Sequence, residues 1–273
     1  MKQKYPYTTG YSKNNLPYVK VGNQAKILVN IEALTFKHEP QSGFELKHFI
    51  KSMEPLLDTY TIYIIGRKPN LPSGYYFDKM ADDYAEMIQN ELGGSVDIMG
   101  ISTGGQLCHY VAEKYPDLIR KNVIISAAYR LSEGGLENEG NAAKYYKQGK
   151  YGKAMSEFTR ILDLTGALRI FMNIITPIIG RMMLGNLKYP NDFLIEVEAD
   201  AEMNFLDRLK NIKVPTLILS GENDICYNKV DVETTAAGIP NCRLKLYPGY
   251  GHNLTMFNMK EVIQDMKEFL VKD

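Results

Sequence analysis

Val96-Asp97-Ile98-Met99-Gly100-Ile101-Ser102-Thr103-Gly104-Gly105 places one serine in a glycine-flanked turn. Ile98 and Met99 end a short apolar run of strand length, and Leu107, Val111, Ala112 and Tyr115 then recur at helical spacing. A strand that reverses sharply into a helix holds its central residue in strained dihedrals. It also presses the positions two before and two after against neighbouring main chain. Glycine at 100 and 104 suits that demand, which leaves Ser102 projecting from the strand tip. At this chain's composition Gly-x-Ser-x-Gly arises by chance about 0.06 times, so the flanking strand and helix carry as much of the reading as the motif does.

A serine hydroxyl is a poor nucleophile near neutral pH. It needs a base to take its proton and an acid to orient that base. The segment Val214-Pro215-Thr216-Leu217-Ile218-Leu219-Ser220-Gly221-Glu222-Asn223-Asp224 is a buried strand leading into a polar turn, and it offers Asp224 as the acid. Glu222 is its rival; the later position reaches further from the sheet edge. Next, Leu244-Lys245-Leu246-Tyr247-Pro248-Gly249-Tyr250-Gly251-His252 runs from a short strand into a glycine-rich loop and delivers His252 as the base. The remaining histidines, His38, His48 and His109, read as structural or solvated.

Taken together these residues resemble the α/β-hydrolase family over nearly the whole chain outside a central insert. Residues 16–22 look like that family's first hairpin, and Lys26-Ile27-Leu28-Val29-Asn30-Ile31 looks like its third strand. The resemblance implies an oxyanion hole built from two backbone amides, one just after the nucleophile and one just after the third strand, here Thr103 and Leu34. Many members carry His-Gly after that strand, whereas this chain reads Glu32-Ala33-Leu34. A carboxylate aimed at a developing oxyanion would raise the barrier, so Glu32 is expected to face away or to be neutralised by Arg67 or Lys37.

Composition narrows the classes further. The chain has 273 residues, enough for one large core plus an insert, and its 32 basic and 32 acidic residues cancel. Zero formal charge gives no electrostatic footprint for nucleic acid or for an anionic membrane. Cys108, Cys226 and Cys242 form neither a metal nor a redox spacing, and their odd count argues against a disulfide framework. Cys226 reads as a packed thiol despite standing two residues after Asp224. No metal and no organic cofactor is expected. The opening residues lack an apolar run of the secretory kind, so cytoplasmic residence is the expectation.

Strand and helix patterns alternate along the chain, which predicts an α/β fold with a mostly parallel central sheet flanked by helices. Residues 60–65 read as a strand, residues 77–92 as an amphipathic helix and residues 121–126 as a strand. From residue 128 to residue 207 no strand pattern recurs. This stretch is the expected helical cap, inserted between core segments 1–127 and 208–273. Within it, residues 164–184 are strongly apolar. Arg169 and Arg181 bracket 11 uncharged residues that Pro177 interrupts, too few for a membrane span of about 20. Packing inside the cap or lining a greasy pocket are the readings for this segment, and Glu196, Glu198, Asp200 and Glu202 read as a solvated face. The expected activity is that of a serine hydrolase, a carboxylesterase acting on a small or medium apolar acyl ester. The alternatives are carbon-carbon bond hydrolysis or acyl transfer on the same three side chains, and a slow-turnover protein that binds an apolar small molecule. The oligomeric state is open.

Overall fold

The computed structural model describes residues 5–271. The first four residues of the opening segment therefore lie outside the described residues. Eight strands form one sheet: β1 (Tyr7–Tyr11), β2 (Pro17–Val21), β3 (Lys26–Ile31), β4 (Tyr60–Ile65), β5 (Val96–Ile101), β6 (Ile119–Ile125), β7 (Thr216–Gly221) and β8 (Cys242–Tyr247). Their spatial order is β1-β2-β4-β3-β5-β6-β7-β8. β2 runs antiparallel to both β1 and β4, and every later pairing is parallel. The central strands are apolar along their length because both faces are covered.

Helices α1 (Gly43–Ser52), α2 (Glu54–Leu57), α3 (Phe77–Glu91) and α4 (Thr103–Lys114) belong to the first half of the chain. After β6 come α5 (Glu133–Lys147), α6 (Tyr151–Arg160), α7 (Gly166–Leu184) and α8 (Asp192–Glu202), with no strand among them. The chain then returns through β7, α9 (Lys229–Gly238), β8, α10 (Leu254–Phe257) and α11 (Met259–Val271). One apolar layer sets Met80, Tyr84 and Ile88 of α3 and Leu107 and Val111 of α4 against Val29 and Ile98. The opposite layer joins Leu46 and Ile50 of α1 to Val262, Met266 and Leu270 of α11 under Leu28, Ile62 and Val123. A third, smaller cluster lies between the insert and the loop after β3, where Phe36 stacks on Phe193 at 4.0 Å between ring centroids.

Strand β5 and helix α4 meet at the closest backbone approaches in the sheet. A Cβ on Gly100 would lie 2.2 Å from the Gly104 carbonyl carbon, and one on Gly104 would lie 2.2 Å from the Ile31 carbonyl oxygen. Both glycines are therefore required by space, as the strand-to-helix reversal predicted.

The insert is held to the core by a buried ion pair. Arg67, just past β4, is 1% exposed. Its Nε donates to Glu196 Oε1 at 2.7 Å, and its Nη2 reaches the other oxygen of the same carboxylate. The guanidinium also donates to the carbonyls of Glu32 and Ala33, so one side chain ties β4, the loop after β3 and α8 together. His38 also touches Glu196, at Oε1. One turn earlier, Asp192 accepts the backbone amides of Asn70 at 2.9 Å and Leu71 at 2.8 Å.

Two expectations are corrected. The acidic run is not a solvated face: Glu196 and Asp200 are fully buried, while Glu198 and Glu202 are exposed. Alternate residues of a helix point to different sides, so only the members four apart share the inward face. The apolar segment ending at Leu184 neither packs fully nor forms a greasy pocket. Helix α7 buries only Thr176, Gly180 and Leu184. It lies close against α6, where Gly180 meets the Tyr151 carbonyl and Gly152 meets that of Pro177, and Phe171, Ile174, Ile178 and Met182 are left exposed on the other side. One polar cleft of about 620 Å³ borders α7 through Arg169, Met172 and Asn173.

Gly104→Ala should cost about 1–3 kcal/mol or more by forcing α4 away from β3, read as a lowered denaturation midpoint. Arg67→Met removes the bidentate partner of the buried Glu196 carboxylate and leaves it to His38, and the unfolding free energy should fall by about 3–5 kcal/mol. A loss below about 1 kcal/mol, the size of a surface pair, would mean that the guanidinium does not hold the insert.

Candidate active site

Ser102 lies at the carboxyl end of β5 with φ 56° and ψ −127°. For a residue with a Cβ this conformation stores roughly 1–3 kcal/mol. It persists because its surroundings fix it: the Ser102 amide donates to the Ile125 carbonyl at 2.9 Å, and its own carbonyl accepts the Gln106 amide at 3.0 Å and so opens α4. The side chain stands at the helix N-terminus, where free amides and the helix dipole favour negative charge. The serine residue is 8% exposed.

Asp224 follows β7 and His252 follows β8, and adjacent parallel strands bring their loops side by side. The Asn223 amide donates to the Tyr250 carbonyl at 2.9 Å, and the Glu222 amide donates to that of Tyr247. A Cβ on Gly251 would stand 3.0 Å from the Asn223 carbonyl oxygen. Within this zipped pair of loops Asp224 Oδ2 meets His252 Nδ1 at 2.9 Å. Asp224 Oδ1 accepts the amides of Cys226 at 2.8 Å and Tyr227 at 3.1 Å, which locks the carboxylate. Glu222 instead pairs with Lys229. Burial lowers the His252 pKa, but the Asp224 charge and hydrogen bond outweigh it and the net shift is upward.

Tyr227 lies beside the histidine. Its ring lies 5.8 Å from the His252 ring between centroids, and its hydroxyl faces the Ser102 side chain without reaching hydrogen-bond geometry.

Thr103 is the first residue of α4, and Leu34 lies in the loop after β3. Among the described residues neither amide donates to a protein acceptor. The Leu34 loop is the one whose carbonyls Arg67 holds. Glu32 is buried behind it. A Cβ on Gly66 would stand 2.6 Å from Glu32 Oε2, so the glycine makes room for the carboxylate. Burial lifts the Glu32 carboxyl to about 7 against the opposing pull of Arg67 and a hydrogen bond with Gln41. Of the two expected neutralisers, Arg67 is the neighbour and Lys37 is exposed.

Glu139 on α5 and Asp200 on α8 were not singled out from the sequence as members of the site. Thr103 Oγ1 donates to Asp200 Oδ2 at 2.9 Å. α5 begins against the acid loop: the Ser132 amide donates to the Cys226 carbonyl at 2.8 Å, and a Cβ on Gly135 would lie 3.2 Å from Cys226 Cα. Glu139 is four residues further along that same face. A helical period read across Asp192, Glu196 and Asp200 would have flagged the inward face of α8.

The Cys226 thiol is buried, and burial and then the Asp224 charge push its pKa upward. It therefore stays protonated. Asp224, Cys226 and His252 place ligand-type atoms within 4.8 Å of one another. The Asp224 oxygens are already committed to two amides and an imidazole. His38 and His109 are buried, His109 with Nδ1 3.0 Å from the Gly105 carbonyl, and His48 is exposed on α1.

Comparison with known proteins agrees with this architecture. A family model described as alpha/beta hydrolase fold matches residues 52–165. A bifunctional esterase/perhydrolase of Acinetobacter calcoaceticus is 27% identical over 218 residues, covering 75% of this chain and 78% of the relative. A non-heme haloperoxidase of Rhodococcus erythropolis is 28% identical over 214 residues with the same coverage. In three dimensions the chain is similar to an α/β hydrolase from a Medee basin deep-sea metagenome library. The TM-score is 0.79 at 15% identity over 99% of this chain and 96% of the other, a likeness of fold. The chain has the α/β-hydrolase fold and is similar to enzymes built on it.

Proposed function

We propose that the chain is a serine hydrolase, specifically a carboxylesterase acting on a small or medium apolar acyl ester through an acyl-enzyme on Ser102. The observation that carries this reading is the buried Asp224–His252 pair at 2.9 Å, carried by the loops after β7 and β8, together with a serine held in a strained strand-to-helix turn at the end of β5. In the proposed reaction Ser102 Oγ attacks the ester carbonyl carbon while His252 takes the hydroxyl proton. The carbonyl electron pair moves onto oxygen, where the amides of Leu34 and Thr103 receive it. Collapse of the adduct breaks the bond to the alkoxide, which leaves with the proton from His252. Water repeats the sequence on the acyl-enzyme and releases the acid. Asp224 fixes the imidazole tautomer and stabilises the imidazolium. In this reading residues 128–207 act as the cap over the strand ends.

A fluorophosphonate should label Ser102 quickly, and Ser102→Ala should abolish labelling and lower turnover by about a thousandfold or more with the fold intact. Equal turnover in that variant would sink the proposal. The base is active only when neutral, and its pKa is raised. The rise of kcat/KM with pH should therefore have its midpoint above 6.5, the ordinary imidazole value, and activity should be lost below it. A midpoint at or below 6.5, or a flat profile with chemistry limiting, would remove His252 from the role.

A further inference from the structure

Two buried carboxyls of α5 and α8 take no part in that reaction. Glu139 is 6% exposed and Asp200 is fully buried. Glu139 Oε2 and Asp200 Oδ1 have no hydrogen-bonding partner among the described residues, and neither has the Tyr227 hydroxyl, which is also fully buried. Asp200 is fixed through its other oxygen to Thr103, the residue next to the nucleophile. Tyr227 faces Ser102 and feels the charges of both Asp200 and Glu139. Three buried oxygens on α5, α8 and the acid loop are thus each short of a partner, with Asp200 bonded to the residue next to the nucleophile and Tyr227 within the influence of both carboxyls.

Unpaired buried polar atoms are costly, and native interiors rarely keep them without a reason. Burial above all, with the Asp200 and Glu196 charges for Glu139 and the Glu196 charge for Asp200, raises both carboxyls above the ordinary carboxylate range and disfavours their charged forms. Arg67 does not fill this place, because its guanidinium is spent on Glu196 and on two backbone carbonyls. A primary ammonium carries three N–H donors and no acceptor, which matches three unpartnered oxygens. It also supplies the positive charge that lets the acids ionise.

We propose that Glu139, Asp200 and Tyr227 form a subsite for a primary ammonium on the acyl group, so that the substrate is an aminoacyl ester. This inference rests on the carboxylesterase reading and replaces its purely apolar acyl group by one bearing a single cationic nitrogen.

The test compares hydrolysis of benzyl alaninate and benzyl 3-aminopropanoate with that of benzyl propanoate by the full-length protein. At least one amino ester should be preferred about tenfold or more in kcat/KM, mainly through a lower KM, as hydrogen bonds to a charged group allow. In Glu139→Gln, Asp200→Asn and Tyr227→Phe that preference should fall by about tenfold in each, in protein that still labels at Ser102 with a fluorophosphonate. Tyr227→Phe removes one oxygen with little change of shape, which keeps the test open if a carboxyl variant does not fold. Absence of preference in the parent protein, or the same preference in the variants, overturns the subsite while Ser102 labelling leaves the esterase reading standing. A preference that vanishes with a chelator and returns with magnesium or calcium also overturns it and makes the pair a cation site. Failure of benzyl propanoate hydrolysis together with failure of labelling would instead defeat the underlying reading.

Discussion

The bidentate bond from Arg67 to Glu196 is the constraint on which the arrangement of the site depends. A guanidinium removed from water is unfavourable unless its donors are all used. Here they are shared between one carboxylate and two main-chain carbonyls. The carboxylate belongs to the insert and the carbonyls to the loop that presents the Leu34 amide. Loss of either partner would leave a charge stranded, so the pair sets the height of α8 and the path of the loop together. Asp200 stands one turn beyond Glu196, and its place against Thr103 follows from the same docking.

Around this clamp the strand ends are pressed together at backbone distance. Gly100 and Gly104 let α4 lie on β3, Gly66 leaves space for the Glu32 carboxylate, and Gly251 lets the base loop lie on the acid loop. Main-chain hydrogen bonds then join the two loops. Side chains carried on such short, mutually bonded segments lose little further freedom when a substrate binds, which is how pre-organised sites favour a charged transition state.

The local electrostatics divide into opposite regimes over a short distance. Asp224 stabilises the charged form of His252. Glu139 and Asp200 are pushed toward the neutral form, chiefly by burial. Glu32 lies between, lifted by burial and restrained by Arg67. The difference lies in the partner each group finds, since all of them are buried.

Much of this was legible in the chain. Apolar runs alternating with helical stripes specify a parallel sheet with helices on both faces, because only that layering buries strands that are apolar on both sides. The glycines around Ser102 specify a strand reversing into a helix, and the order of Ser102, Asp224 and His252 at three strand ends singles out the loops that meet. Composition failed where burial depends on what lies opposite. The residues between Glu196 and Glu202 look uniformly solvated until α8 is docked, and the core's guanidinium turns Glu196 into a buried partner. Helix α7 looks like interior, yet its Gly180 contact with α6 needs only one narrow edge, and its apolar side is left facing outward. Local pattern is written in neighbouring residues, so the sequence by itself determined the elements and the three catalytic candidates. Which charges are buried, and which oxygens stand without partners, was decided only by tertiary structure, because those properties arise between segments far apart in the chain.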